Sequence, residues 1–84
     1  MEISKGQTIK TNIGTVEITD VIENHYPHLK GEAKTCVQST LNGKGDRFGN
    51  PYADNLPDFL KFISEVNIIE IAVYKSLVAK SNNL

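Results

Sequence analysis

The chain has 84 residues, nine Lys and Arg against ten Asp and Glu, and an apolar share of 39%. This is one domain, 1–84, too apolar for a disordered tail, too balanced in charge for a polycationic nucleic-acid coat, and with no apolar run near the ~20 residues that a membrane-spanning helix needs. A chain this short buries only about 60–65% of its unfolded surface, so its core is thin.

The first predicted elements form a hairpin. Thr8–Thr11 and Thr15–Ile22 are β-branched and roughly alternating, and Asn12-Ile13-Gly14 between them suits a three-residue loop with a left-handed glycine. The alternation places Val16, Ile18 and Ile22 on the core face, with Val21 on the side of Glu17 and Thr19. Glu23–Gly31 reads as a loop punctuated by Asn24, Pro27 and Gly31. Ala33–Leu41 predicts a third strand, and Asn42-Gly43 is a strong turn signal.

Gly43–Asn55 predicts a long loop. Unstructured loops of ~12–15 residues are uncommon in compact domains and are often functional. A short amphipathic helix then runs from about Leu56 to Val66, capped by Asp54 or Asn55, with Pro57 in its first turn and Leu56, Phe59, Leu60, Ile63 and Val66 on one stripe. From Asn67 two readings compete. Ile68–Tyr74 has the β-branched composition of a buried strand, whereas Phe59, Ile63, Val66, Ile69, Val73 and Leu77 also continue a helical period to about Lys80. The strand is the favoured reading, and 81–84 reads as a frayed end. Phe62 and Tyr74 fall beside the main stripe; a second core face is the favoured reading, and they would mark an interface if exposed.

The fold expected is therefore a small β-rich α+β domain of β-β-β-α-β order. The opening Gly6-x-x-Ile9-x-Thr11-x-x-Gly14-x-Val16-x-Ile18 resembles the first hairpin of small SH3-like barrels. That resemblance implies strands curled around the helix, and it carries no functional residues.

The chemically richest stretch is Asn42–Tyr52. Its glycines let backbone amides approach an anion, Lys44 supplies a point charge, Arg47 a planar fork for phosphate, Phe48 and Tyr52 rings for stacking, and Asn50 a reader of a base edge or ribose. His25 and Tyr26, from the preceding loop, would complete an aromatic cradle if they packed near Phe48. Other chemistry is weakly supported. Asp46, Asn50 and Asp54 lack the spacing and the bidentate Glu of a calcium loop. His25, His28 and Cys36 do not define a zinc site. Cys36 lies mid-strand, where a small buried side chain is the usual occupant. Asp20, Glu23 and Glu32 read as surface carboxylates. No catalytic residue, metal or cofactor is expected.

The leading expectation is a non-catalytic module that holds or sequesters a phosphate-bearing, nucleotide-derived small molecule through Lys44, Arg47, Phe48, Asn50, Tyr52, His25 and Tyr26, between subunits of a homo-oligomer. A thin monomer lacks a deep pocket, and a subunit seam can make one. The alternative is a protein that inhibits another by covering its surface. Accessory proteins of phages and mobile elements, inhibitors of bacterial defence among them, are similar in size and composition. A mildly basic strip over Lys30–Arg47 faces an acidic Asp54–Glu70 stretch, but nucleic-acid binding is the weakest of the three expectations at a net charge of −1. The lone thiol and a Met1–Lys5 start without an apolar run lead to the expectation of a reducing, cytoplasmic setting.

Overall fold

The computed structural model describes residues 2–73. Its elements are β1 (Gln7–Thr11), β2 (Gly14–Ile22), a 3₁₀ turn (Gly31–Lys34), β3 (Cys36–Leu41), β4 (Tyr52–Asn55), α1 (Leu56–Ser64) and β5 (Ile68–Val73). The strands form one antiparallel sheet in the order β4-β3-β2-β1-β5. This is an α+β fold. β4 and β5 stand at opposite edges and do not pair, so the sheet is open.

The first hairpin forms where the alternation predicts, with a different turn. Thr11 pairs directly with Gly14, so the connection has two residues, Asn12 and Ile13. The Thr11 hydroxyl accepts the Ile13 N–H at 3.2 Å and donates to the Gly14 carbonyl at 2.8 Å. Gly14 has φ +137°, and a Cβ there would sit 2.6 Å from the Asn42 side chain. The backbone angle requires glycine, and a Cβ would also displace the Asn42 side chain.

A bulge changes the faces of β2. Ile18 opposes Ser39 and Asp20 opposes Gln38, which leaves Thr19 as an extra residue. An extra residue inverts the alternation beyond it. Val21 therefore packs against the core, and Ile22, expected there, pairs with Cys36 on the other side of the strands. The core consists of Ile9, Val16, Ile18, Val37, Phe59 and Ile63, with Ile3, Val21, Leu41 and Leu56 against it. The other face carries Thr8, Lys10, Glu17, Gln38 and Thr40, in keeping with a sheet solvated on one side.

Two further predictions are corrected. The third strand begins at Cys36, because Gly31–Lys34 winds into the 3₁₀ turn. Tyr52–Asn55, read as loop, is the edge strand β4. The helix ends at Ser64, two residues before the expected Val66, and the favoured strand follows it. The reason is a clasp. Asn12 N–H donates to the Asn67 carbonyl at 3.0 Å, and Asn67 N–H donates to Asn12 Oδ1 at 2.9 Å. This holds Asn67 against the first hairpin and turns the chain back onto β1. β5 is not the buried strand that its composition suggested: it is an edge on which Ile68, Ile69 and Ile71 are exposed. The expectations for Tyr74, for helix continuation past 73 and for a frayed end lie outside the described residues.

The start of α1 follows its sequence. Asn55 Oδ1 accepts the Asp58 N–H at 3.0 Å, Pro57 occupies the first turn, and Asp58 complements the helix dipole. Phe59 and Ile63 are its buried residues. Its dimensions set up the site. Five strands at ~4.8 Å spacing are ~19 Å wide, whereas one helix covers ~10 Å. The core face of the sheet therefore extends past α1.

Candidate functional site

Gly43–Pro51 is an ordered loop made of two stacked turns. In the first, Asn42 (φ 52°) and Gly43 (φ 78°) form the two-residue turn that the dipeptide predicts, and Leu41 and Lys44 exchange both backbone hydrogen bonds, at 2.9 and 3.0 Å. Asn42 is also tied to β2. Its N–H donates to the Thr15 carbonyl at 2.7 Å, and its Oδ1 accepts the Thr15 N–H at 2.9 Å.

The second turn is the tip, Asp46–Asn50. Asp46 N–H donates to the Asn50 carbonyl at 2.8 Å, Gly49 N–H donates to the Asp46 carbonyl at 3.0 Å, and Gly49 takes φ 84°. This is a three-residue hairpin loop with a left-handed glycine. The Asp46 carboxylate sits inside it, accepting the N–H groups of Phe48 at 2.9 Å and Asn50 at 3.0 Å through Oδ1. A Cβ at Gly45 would lie 1.9 Å from the Asn50 carbonyl oxygen, so the two limbs close on each other only with glycine there.

These contacts decide what the tip offers. The Phe48 and Asn50 amides that could meet an incoming anion already serve an internal carboxylate. What remains outward is the Phe48 ring, 73% exposed, with the Arg47 guanidinium 4.8 Å from its centroid. Lys44 and Asn50 are exposed on the same loop.

His25 and Tyr26 do not join this group. Tyr26 lies at the other end of β3, where its hydroxyl donates to Cys36 Sγ at 3.6 Å and its N–H donates to the Lys34 carbonyl at 3.0 Å. The tip follows Leu41, at the far end of the same strand, roughly 17 Å away by strand rise alone. The aromatic cradle is therefore split. Tyr26 packs edge-on between His25 (4.8 Å) and His28 (6.3 Å). The hydrogen bond to Cys36, partial burial and the negative charge of Asp54 raise its phenol above the usual tyrosine value. Cys36 beneath it is fully buried, which suits a packing role.

Tyr52, the last of the expected site residues, belongs to β4 and lines a cavity of about 300 Å³ that the sequence did not reveal. The cavity lies between α1 and the β2, β3 and β4 side of the sheet. Val16, Leu41 and Ser39 form its floor, and Phe59 and Phe62 of the helix stand opposite Tyr52 and Asp54 of the edge strand. Phe62 is exposed, which corrects the expected second core face. Asp54 is the one charged side chain lining the cavity among the described residues. A second hollow lies between Lys5, Thr8, Glu17 and Thr19 at the β2 bulge, where the Thr19 hydroxyl is buried without a hydrogen-bond partner among the described residues.

Among the described residues there is no group of three or more His, Cys, Asp or Glu placed to hold a metal, and no helix long and apolar enough to cross a membrane. No family model matches this chain, and neither a curated protein nor a solved structure shows significant similarity to it.

Proposed function

We propose that the chain is a non-catalytic recognition module that acts by covering a surface of another protein, with Arg47 and Phe48 as its anchor. One observation carries the reading: an aromatic ring and a guanidinium are held outward on a turn that Asp46 and Gly49 lock from within. Aromatic residues and arginine dominate interface hot spots, and a preorganised turn loses little entropy on binding. The complementary partner offers an apolar pocket rimmed by a carboxylate. Size and composition fit a small inhibitor of the phage anti-defence type, working in the cytoplasm, where a free buried thiol such as Cys36 persists.

The experiment is co-purification from the natural cellular background with tagged wild type and Arg47→Ala/Phe48→Ala. A protein retained by the wild type and lost by the variant supports the reading. Equal retention by both overturns the role of the tip.

A second reading, sequestration of a phosphate-bearing nucleotide, is supported by Lys44 and Arg47, two exposed cations on one loop without an ion pair among the described residues. It would work through side chains alone, because Asp46 already holds two of the loop amides. Heat released on titrating a nucleotide panel into the wild type, and abolished in Arg47→Ala, would favour it over the first.

The SH3-like resemblance enters as a further proposal, in which the β4 and β5 edges approach in solution. The bulge at Thr19 and the register shift between Lys10 and Thr11, both of which increase twist, support it. Nuclear Overhauser contacts between 52–55 and 68–73 would establish that closure, and their absence would leave an open sheet.

A further inference from the structure

The tip and the cavity have complementary chemistry. The tip presents a phenyl ring with a cation stacked on it. The cavity presents apolar walls from Val16, Leu41, Phe59 and Phe62, with one carboxylate, Asp54, and no cation among its lining residues. Its volume of about 300 Å³ is sufficient for one phenylalanine side chain. Within one chain the two stay apart, since Phe48 is 73% exposed. They nevertheless adjoin along the chain: Leu41 lines the cavity just before the Asn42-Gly43 turn, and Tyr52 lines it on the return.

We infer that the partner fitting this cavity is a second copy of the chain: Phe48 of each protomer enters the cavity of the other, and Arg47 pairs there with Asp54. Because donor tip and acceptor cavity adjoin, two copies related by a two-fold axis satisfy both contacts at once and the assembly closes as a dimer. The contact covers the apolar walls of the cavity between α1 and the sheet. It is small, so association falls in the weak class, driven by protein concentration. The dimer would hide the residues proposed to meet a foreign partner, so the two associations compete. The inference does not depend on that earlier reading, and its test contains this protein alone.

The test is sedimentation equilibrium across a wide range of protein concentration, with a charge swap. The wild type is expected to dimerise reversibly. Arg47→Asp places an acid against Asp54, and Asp54→Arg places a guanidinium against Arg47. Each variant alone should associate at least about tenfold more weakly, because like charges meet at the contact. Both positions are exposed, so unchanged circular dichroism and melting will show that each variant is folded. Mixing the two variants pairs opposite charges at both contacts and should restore a one-to-one heterodimer. Phe48→Ala should weaken association without changing melting. A wild type that stays monomeric at the highest concentration, single variants that dimerise like the wild type, or a mixture that fails to recover would each overturn the proposal. Growth into long polymers would overturn the reciprocal two-fold contact.

Discussion

The two loops that flank β3 each carry an aromatic ring among polar groups, and they have opposite designs. Glu23–Lys30 contains two histidines, a tyrosine and a proline, and it folds inward: Tyr26 lies over Cys36 and closes the end of the sheet. Gly43–Pro51 contains three glycines, two cations and a phenylalanine, and it points outward, its Phe48 ring in solvent and its own carboxylate bonded to its backbone. In one loop the aromatic group satisfies the fold. In the other an acid satisfies the loop and leaves the aromatic group over. The presence of a ring does not separate the two cases, whereas the destination of each polar group does.

Four substitutions break or sharpen this contrast. Gly45→Ala should have the largest effect, because its methyl group would meet the Asn50 carbonyl at 1.9 Å and a backbone atom cannot rotate aside. A loss of about 3 kcal/mol is expected, read from the urea midpoint. Asp46→Ala removes the acceptor of two amides but lets water replace it. The expected loss is about 1 kcal/mol, with amide exchange at Phe48 and Asn50 faster by about tenfold.

Tyr26→Phe probes the inward loop through pH. The raised phenol pKa means that the folded state favours the protonated ring. Its contribution is complete below the ordinary tyrosine value of about 10 and is lost as pH rises from there through the folded-state value. Wild type should therefore lose more stability than Tyr26→Phe in alkaline urea titrations, with the two curves parallel below about pH 9. A difference of the same size at neutral and alkaline pH would show that the hydroxyl is not the group responsible. Phe48→Ala should have the smallest effect on folding, within about 0.5 kcal/mol, as a surface substitution. A larger loss would mean that the ring supports the fold and is not reserved for an interface.

Local signals in this sequence were legible where one residue type answers one backbone need. Asn42-Gly43 formed the two-residue turn because both positions take positive φ. Asn55 and Pro57 marked the helix start. The first hairpin and the helix stripe of Phe59 and Ile63 followed from period alone. Features that depend on counting across strands were hidden. Thr19 looks like any strand threonine, yet as the extra residue in β2 it exchanges the roles of Val21 and Ile22. Tyr52-Ala53-Asp54-Asn55 lacks an alternating pattern because an edge strand with little buried surface does not need one. At the loop, the exposure of Lys44, Arg47 and Phe48 fits their polar and tip positions, whereas Tyr52 belongs to β4 and lines the cavity. Asp46 was read only as a possible cation ligand, although it is the acceptor that organises the tip. The cavity could not be read at all, since residues of β2, β3, β4 and α1 line it together and only the folded sheet brings them side by side.

The Asn12–Asn67 clasp spans 55 positions of the chain. It bears on the order in which the molecule assembles as it is synthesised. β1 to β4 emerge in sequence, and each of the inner pairs β1–β2, β2–β3 and β3–β4 can zip with its neighbour as soon as it appears. The outer side of β1 waits for the helix and then β5, the last described strand to leave the ribosome. Until Asn67 reaches the first turn, that side of β1 is an unprotected edge, and the interval during which it stays bare is the stage at which a nascent chain is most open to pairing with a stranger.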